Sequence, residues 1–239
     1  YAPPSAFKGQ RVVLPEDEAQ HVRAVLRARE GDEIVVVDGE GGWHRVTINH
    51  LSSDQAIGTV EETRREVGEP DLHLTVGLGL LTKRSRFEMF VEKAVELGVG
   101  GIVPLRTTHT ETDTFRRERT RNVMVAALKQ CRRSRLPALS EPKTIDGLLE
   151  STSAGRLLIC HGGEQCRPLP QVLDGGQGEA PILVLVGPEG GFSASEVERA
   201  VNAGGTPVSL GPRRLRAETA GITAAAAVMC QRDSSRESG

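Results

Sequence analysis

"LVGPEGGFSASEVERA", residues 185–200, joins an apolar run to a polar, helix-like run through a turn that holds three glycines and a proline. The preceding ILVLVG (182–187) reads as a strand buried on both faces. Ser193 with Glu196 matches the S-x-x-E capping box that opens a helix, and Gly204 supplies its stop. Gly and Pro punctuate turns everywhere, yet GPEGG is longer than a cap requires. Gly190 and Gly191 permit positive φ and remove Cβ atoms that would hold a flat ligand away from backbone N–H and C=O groups. A second unit, TPVSLGPRRLRAETAGITAAAAVMCQ (206–231), again runs from a short apolar stretch through Gly-Pro into a helix. Two such turns can share one ligand.

Working outward, strand and helix patterns alternate from residue 70 onward: LHLTVGLGLL, SRFEMFVEKAVELGV, GGIVPLRT, ERTRNVMVAALKQCRR, RLLICHG, PILVLVG, SEVERAVNAG, TPVSLG and a terminal helix. This rhythm argues for an α/β domain with a mostly parallel sheet, whose ligands gather at the carboxyl ends of the strands. Before residue 70 the pattern differs. DEIVVVDG, WHRVTINH and QAIGTVEE are short β runs divided by Gly, Asp and Ser turns, and Val22, Val25 and Leu26 lie at helical spacing. Charge, Gly and Pro in TRREVGEP mark a boundary, so the expected domains are a small β-rich module at 1–69 and an α/β domain at 70–239.

Composition narrows the function. With 3% aromatic residues, stacking of bases on aromatic platforms is improbable, and any RNA contact falls to arginine. A net charge of −2 gives no global pull on nucleic acid, but arginines cluster in RTRNVMVAALKQCRRSR (119–135) and PRRLR (212–216). The four cysteines form no C-x-x-C pair and fit a reducing cytoplasm. Cys160, His161 and Cys166 in CHGGEQC find no second cluster to complete a four-ligand site, so no metal is expected. No run reaches the ~20 apolar residues that span a bilayer, and no basic-then-apolar leader is visible. Residue 1 is Tyr rather than Met, which leaves open a natural start upstream, and RDSSRESG (232–239) reads as a frayed tail.

Neither G-x-x-x-x-G-K-[ST] nor G-x-G-x-x-G occurs, which excludes the usual triphosphate and dinucleotide loops; GLGLL (77–81) is read as packing. Glu189, central in its turn, repels phosphate and tolerates a cationic or hydroxyl-bearing ligand, a preference that a sulfonium cofactor meets.

VGPEGGFSASEVERA followed by LGPRRLRAETAGITAAAAV resembles the carboxy-terminal signature of SPOUT-class RNA methyltransferases, specifically the RsmE-type small-subunit ribosomal RNA uridine-N3 enzymes. LPEDEAQHVRAVLRAREGDEIVVVDG is similar to that family's PUA-like RNA-binding module, KRSRFEMFVEKAVELGVGGIVPL to its first catalytic-domain helix, and LKQCRRSRLP to its glutamine-containing helix end. The resemblance implies a PUA-like β-barrel before a SPOUT-type parallel sheet with a deep carboxy-terminal trefoil knot. It implies S-adenosylmethionine as cofactor, 16S ribosomal RNA or the small subunit as partner, and a homodimer with the Ala-rich final helix at its interface. Two readings stay open beside it: a SPOUT relative that methylates another RNA, such as transfer RNA at ribose 2'-O, and a non-catalytic ribosome assembly factor.

Under this resemblance the cofactor is held by Gly187, Glu189, Gly190, Leu210, Gly211, Leu215 and Arg216, with Cys160, His161 and Gly162 closing the third side. Uracil N3 is a poor nucleophile until its proton departs, so a group must stabilise the anion or receive the proton. Arg216 is the first candidate to anchor the uracil oxygens or a phosphate. Glu218 either takes the proton or only stabilises the start of the last helix. The RNA candidates are Arg23, Arg27, Lys83, Arg86, Arg132 and Arg135.

Overall fold

Alternating buried and half-exposed residues along GWHRVTINHL build the centre of an antiparallel sheet. In the computed structural model, which describes residues 1–152, 155–163, 166–174 and 180–236, the chain divides into two units. These are Tyr1–Glu69 with Leu128–Leu136, and Pro70–Ala127 with Pro137–Gly239.

The first unit carries β1 (Phe7–Lys8), β2 (Arg11–Leu14), α1 (Glu16–Ala24), β3 (Glu33–Val37), β4 (Gly42–Leu51) and β5 (Ala56–Arg65). Its strands pair antiparallel in the order β1-β2-β5-β4-β3. Among the described residues β1 and β3 end this order, and at the β3 end Ala2 N–H donates to the Val37 carbonyl. Val12, Leu14, Val36, Val46 and Ile48 form the core, with Ala19 and Val22 of α1. Val25 and Leu26 do not join that face. They are 64% and 56% exposed because the helix ends at Ala24.

Residues 128–136, placed in the second domain by sequence pattern, group with the first. Their anchor is a buried ion pair in which Arg133 Nη2 lies 2.6 Å from Glu69 Oε2. The other Glu69 oxygen accepts from the N–H groups of Ser134 and Arg135. Satisfying both oxygens offsets the cost of burying the carboxylate.

The second unit holds β6 (Leu74–Gly79), α2 (Arg84–Glu96), β7 (Gly101–Arg106), α3 (Arg117–Cys131, whose last turn belongs to the first unit), β8 (Ala138–Leu139), β9 (Lys143–Thr144) and α4 (Ile145–Ser151). It continues with β10 (Arg156–Cys160), β11 (Arg167–Pro168), α5 (Leu169–Asp174), β12 (Ile182–Val186), α6 (Ala194–Asn202), β13 (Thr206–Ser209) and α7 (Ala217–Arg236). The strand order is β11-β13-β10-β12-β6-β7-β8, with β9 also on β7, and the pairings are parallel. All five residues of β12 are buried, as a strand covered on both faces requires.

One face of this sheet packs Leu105, Ile159, Leu183 and Leu185 against Phe192 and Ala200. On β6 and β12 lies α7, which also packs on α2 and α5. Gly221 of α7 allows that close approach, since a Cβ there would sit 2.8 Å from the Phe90 ring. The stretch read as a frayed tail is helical as far as Arg236, and 237–239 lie outside the described residues. No helix among the described residues is long and apolar enough to cross a membrane.

Because β13, β10 and β12 are neighbours and parallel, the turns that follow them emerge side by side at one end of the sheet. Residues 160–162, 187–191 and 210–216 are thereby brought together, far apart as they are in sequence.

Candidate functional site

The three turns enclose a cleft of about 600 Å³. Cys160, His161, Gly162, Gly187, Glu189, Gly190, Leu210, Gly211, Leu215 and Arg216 all line it. So do Pro188, Ser209, Arg213 and Arg214, which sequence reasoning did not single out for this role. For the two arginines the signal was present, since PRRLR directly follows the second turn.

The glycines work in different ways. Gly191 has φ +71° and Gly211 φ +109°, the left-handed region that favours glycine. Gly190 does not use the positive φ open to it. Its missing Cβ instead makes room for His109, whose own Cβ would lie 2.7 Å away. A Cβ on Gly79, at the end of β6, would come within 2.4 Å of Pro188 N. The GLGLL run therefore seats the first turn, in keeping with its reading as packing.

Beneath that turn the capping box is formed: Ser193 Oγ accepts from Glu196 N–H, and a Glu196 oxygen accepts from Ser193 N–H. The other Glu196 oxygen accepts from Thr108 N–H at 2.8 Å, and His109 Nδ1 lies 3.3 Å from the Gly191 carbonyl. The loop at 107–110 thus buttresses the turn, a pairing that no local pattern in TTHT announces. Burial by itself would raise the Glu196 pKa, but the hydrogen bonds from Ser193 and Thr108 outweigh it and hold the carboxyl below its ordinary range. A depressed folded-state pKa contributes stability above the unfolded value, and that contribution is lost as pH falls through the folded one. Glu196→Gln is therefore expected to cost about 1–2 kcal/mol at pH 7. The gap to the parent should close as denaturant melts are repeated below the ordinary carboxylate pKa of about 4.3.

Glu189 Oε1 accepts from Thr82 N–H at 3.2 Å and lies 3.9 Å from Arg86 Nη1. Arg216 is exposed and on the cleft wall. Glu218 is not on that wall. It is 4% exposed in the first turn of α7, with Oε1 3.6 Å from Arg86 Nε and Oε2 without a hydrogen-bond partner among the described residues. Burial pushes the Cys160 thiol up to about 12, helped by Cys166, so it stays protonated at neutral pH. Among the described residues no group of three or more His, Cys, Asp or Glu could hold a metal ion.

The RNA candidates fall into two sets. Arg23, Arg27, Arg132 and Arg135 belong to the first unit, Lys83 and Arg86 to the second. Arg23, Arg27, Lys83 and Arg132 are exposed. Arg27 and Arg132 adopt positive φ, 55° and 61°, a conformation uncommon for residues other than glycine. Arg135 is engaged by Glu66 through both Nε and Nη2.

Residues 68–229 match the family described as an RNA methyltransferase domain, and residues 14–61 match an RNA methyltransferase PUA domain. A parallel sheet with a three-turn cleft, following an antiparallel PUA module, thus defines an RNA methyltransferase. The ribosomal RNA small subunit methyltransferase E of Synechocystis sp. is 33% identical over 91% of this chain and 72% of its own length. The solved enzyme E of Neisseria gonorrhoeae, bound to S-adenosyl methionine, superposes with a TM-score of 0.84 at 27% identity, covering 96% of this chain and 98% of that one. A methyltransferase of Legionella pneumophila in complex with S-adenosylmethionine gives 0.83 at 27% identity, with 96% of each chain covered. The chain belongs to the ribosomal RNA small subunit methyltransferase E family.

Proposed function

We propose that this chain transfers a methyl group from S-adenosylmethionine to N3 of a specific uridine in 16S ribosomal RNA, acting in the cytoplasm as a homodimer. The observation that carries the reading is the convergence of the turns after β10, β12 and β13 on one cleft, in a chain whose structural relatives bind that cofactor. The residues present suit the ligand. A cleft of about 600 Å³ is of small-molecule size, Gly162, Gly191 and Gly211 on its lining have open space where a Cβ would stand, and Glu189 favours a cation over a phosphate.

When bound, S-adenosylmethionine supplies the methyl group and a neutral thioether as leaving group. The protein contributes alignment and charge. Gly187, Glu189, Gly190, Leu210, Gly211 and Leu215 hold the cofactor, with Cys160, His161 and Gly162 on the third side. Arg216, on the wall beside them, donates to the uracil oxygens and stabilises the charge left when the N3 proton departs to solvent. Glu218 is the nearest carboxylate in sequence to receive that proton, but its burial off the wall favours its other reading, stabilisation of the start of α7.

Exposed Arg23, Arg27, Lys83 and Arg132 are read as phosphate contacts, which makes RNA binding strongly salt-dependent. A phosphate reaching Arg135 would compete with Glu66. The trefoil knot and the dimer belong to the same reading. In support of the knot, β10 lies between β12 and β13 while α7 returns to β6 and β12.

Incubating the protein and labelled cofactor with deproteinised small-subunit RNA, and with intact subunits from a strain lacking the modification, tests the proposal. Nucleoside mass spectrometry is expected to show 3-methyluridine. A ribose-methylated product would point to the other SPOUT activity, and absence of both methylation and cofactor binding to an assembly factor.

A further inference from the structure

Glu218 presents a problem that the proposed reaction does not use. A carboxylate that is 4% exposed, with one oxygen lacking a hydrogen-bond partner among the described residues, carries a large desolvation cost unless charge nearby offsets it. Two such sources are present: the amino-terminal end of α7 and the guanidinium of Arg86, whose Nε is 3.6 Å from Glu218 Oε1. The same guanidinium places Nη1 3.9 Å from Glu189 Oε1. The two carboxylates belong to different elements, Glu189 to the centre of the first turn, on the cleft wall, and Glu218 to the helix that follows the second turn, off that wall. Arg86 itself, two residues into α2, is only 25% exposed at its side chain, unlike the exposed Lys83 before it.

From this geometry we infer that Arg86 is a positioning residue of the methyl-transfer site, bridging Glu189 and Glu218 and so fixing the first turn against the start of α7, rather than a phosphate contact for RNA. The inference rests on reading the cleft as the S-adenosylmethionine site. A planar guanidinium can serve two carboxylates at once, which an ammonium does poorly. With Thr82 N–H on Glu189 Oε1 as a second tether, the bridge holds Glu189 in the orientation a cationic ligand meets.

The test compares the parent with Arg86→Met, Arg86→Lys, Glu218→Gln and the double variant Arg86→Met/Glu218→Gln. Calorimetry with S-adenosylmethionine, salt-dependent binding of small-subunit RNA, KM for each substrate and thermal melts are the readouts. Arg86→Met is expected to weaken cofactor affinity and raise the cofactor KM about tenfold, the loss of one charge-assisted contact. The RNA KM and the salt slope should hold within about twofold. Arg86→Lys should fall between the parent and Arg86→Met. The double variant removes the stranded buried carboxylate, so its melting temperature should recover while cofactor affinity stays low, because Glu189 keeps only its Thr82 tether. Recovery of both in the double variant would reduce Arg86 to a structural counterion and overturn the inference. So would unchanged cofactor affinity in Arg86→Met together with a salt slope lowered by about one, the mark of a lost phosphate contact. Failure of the parent itself to bind S-adenosylmethionine would strike the reading of the cleft instead.

Discussion

Gly190→Val is expected to lower the affinity for S-adenosylmethionine by about a hundredfold or more while unfolding remains cooperative. A Cβ at this position meets His109 Cβ at 2.7 Å, and a β-carbon on a tethered loop cannot swing aside as a side-chain tip can. His109 is held through Gly191 O, and its neighbour Thr108 through Glu196. The strain therefore passes into the GPEGG turn, which moves toward the cleft it lines. Most of the core stands apart from this contact, so the melting temperature should fall by only a few degrees. Relief should follow when the collision is removed: Gly190→Ala combined with His109→Gly is expected to bind more tightly than Gly190→Ala alone. Unchanged affinity in Gly190→Val by calorimetry would take the first turn out of the cofactor site.

Arg216→Ala is expected to lower kcat by about 10²–10³-fold, the range seen when one donor aimed at developing charge is removed. Cofactor affinity should change within about fivefold, because an interaction made mainly as the uracil charge develops appears in kcat rather than in ground-state binding. Arg216→Lys should recover little of the loss, since a point ammonium lacks the fixed fork that spans two oxygens. A change of less than about twofold in both quantities would make Arg216 an ordinary helix-flanking surface residue. Steady-state kinetics on small-subunit RNA, paired with calorimetry, separates these outcomes.

Much of this architecture was legible in the chain. The strands β3 to β7, β10, β12 and β13 and the helices α2, α3, α6 and α7 follow the apolar runs and periodicities from which they were read, because each carries enough residues of one period to declare itself. The elements that no run announces are short: α4 and α5 span seven and six residues, and β1, β8, β9 and β11 two each. Their structure is set by neighbours rather than by local pattern. The end of α1 is illegible for a related reason. Val25 and Leu26 continue the helical spacing, yet no cap in the sequence says that the helix stops at Ala24.

At the candidate site the same division holds. Turns flanked by strong strands and helices could be read as one cleft, since parallel β-sheets deliver their carboxyl-end loops to a common edge. What could not be read were relations across the chain: His109 beneath Gly190, Arg86 between Glu189 and Glu218, and Glu69 anchoring residues 133–135. Arg86 and Lys83 looked alike as basic residues near a helix start. Only burial and the two facing carboxylates distinguish them.

The most direct measurement is a crystal structure of this protein grown with S-adenosylmethionine. The nucleoside should lie between residues 187–191 and 210–216, with its sulfonium on the Glu189 side and its methyl group open toward Arg216. Density for the nucleoside anywhere else, with both turns vacant, would contradict the assignment on which the proposed activity stands.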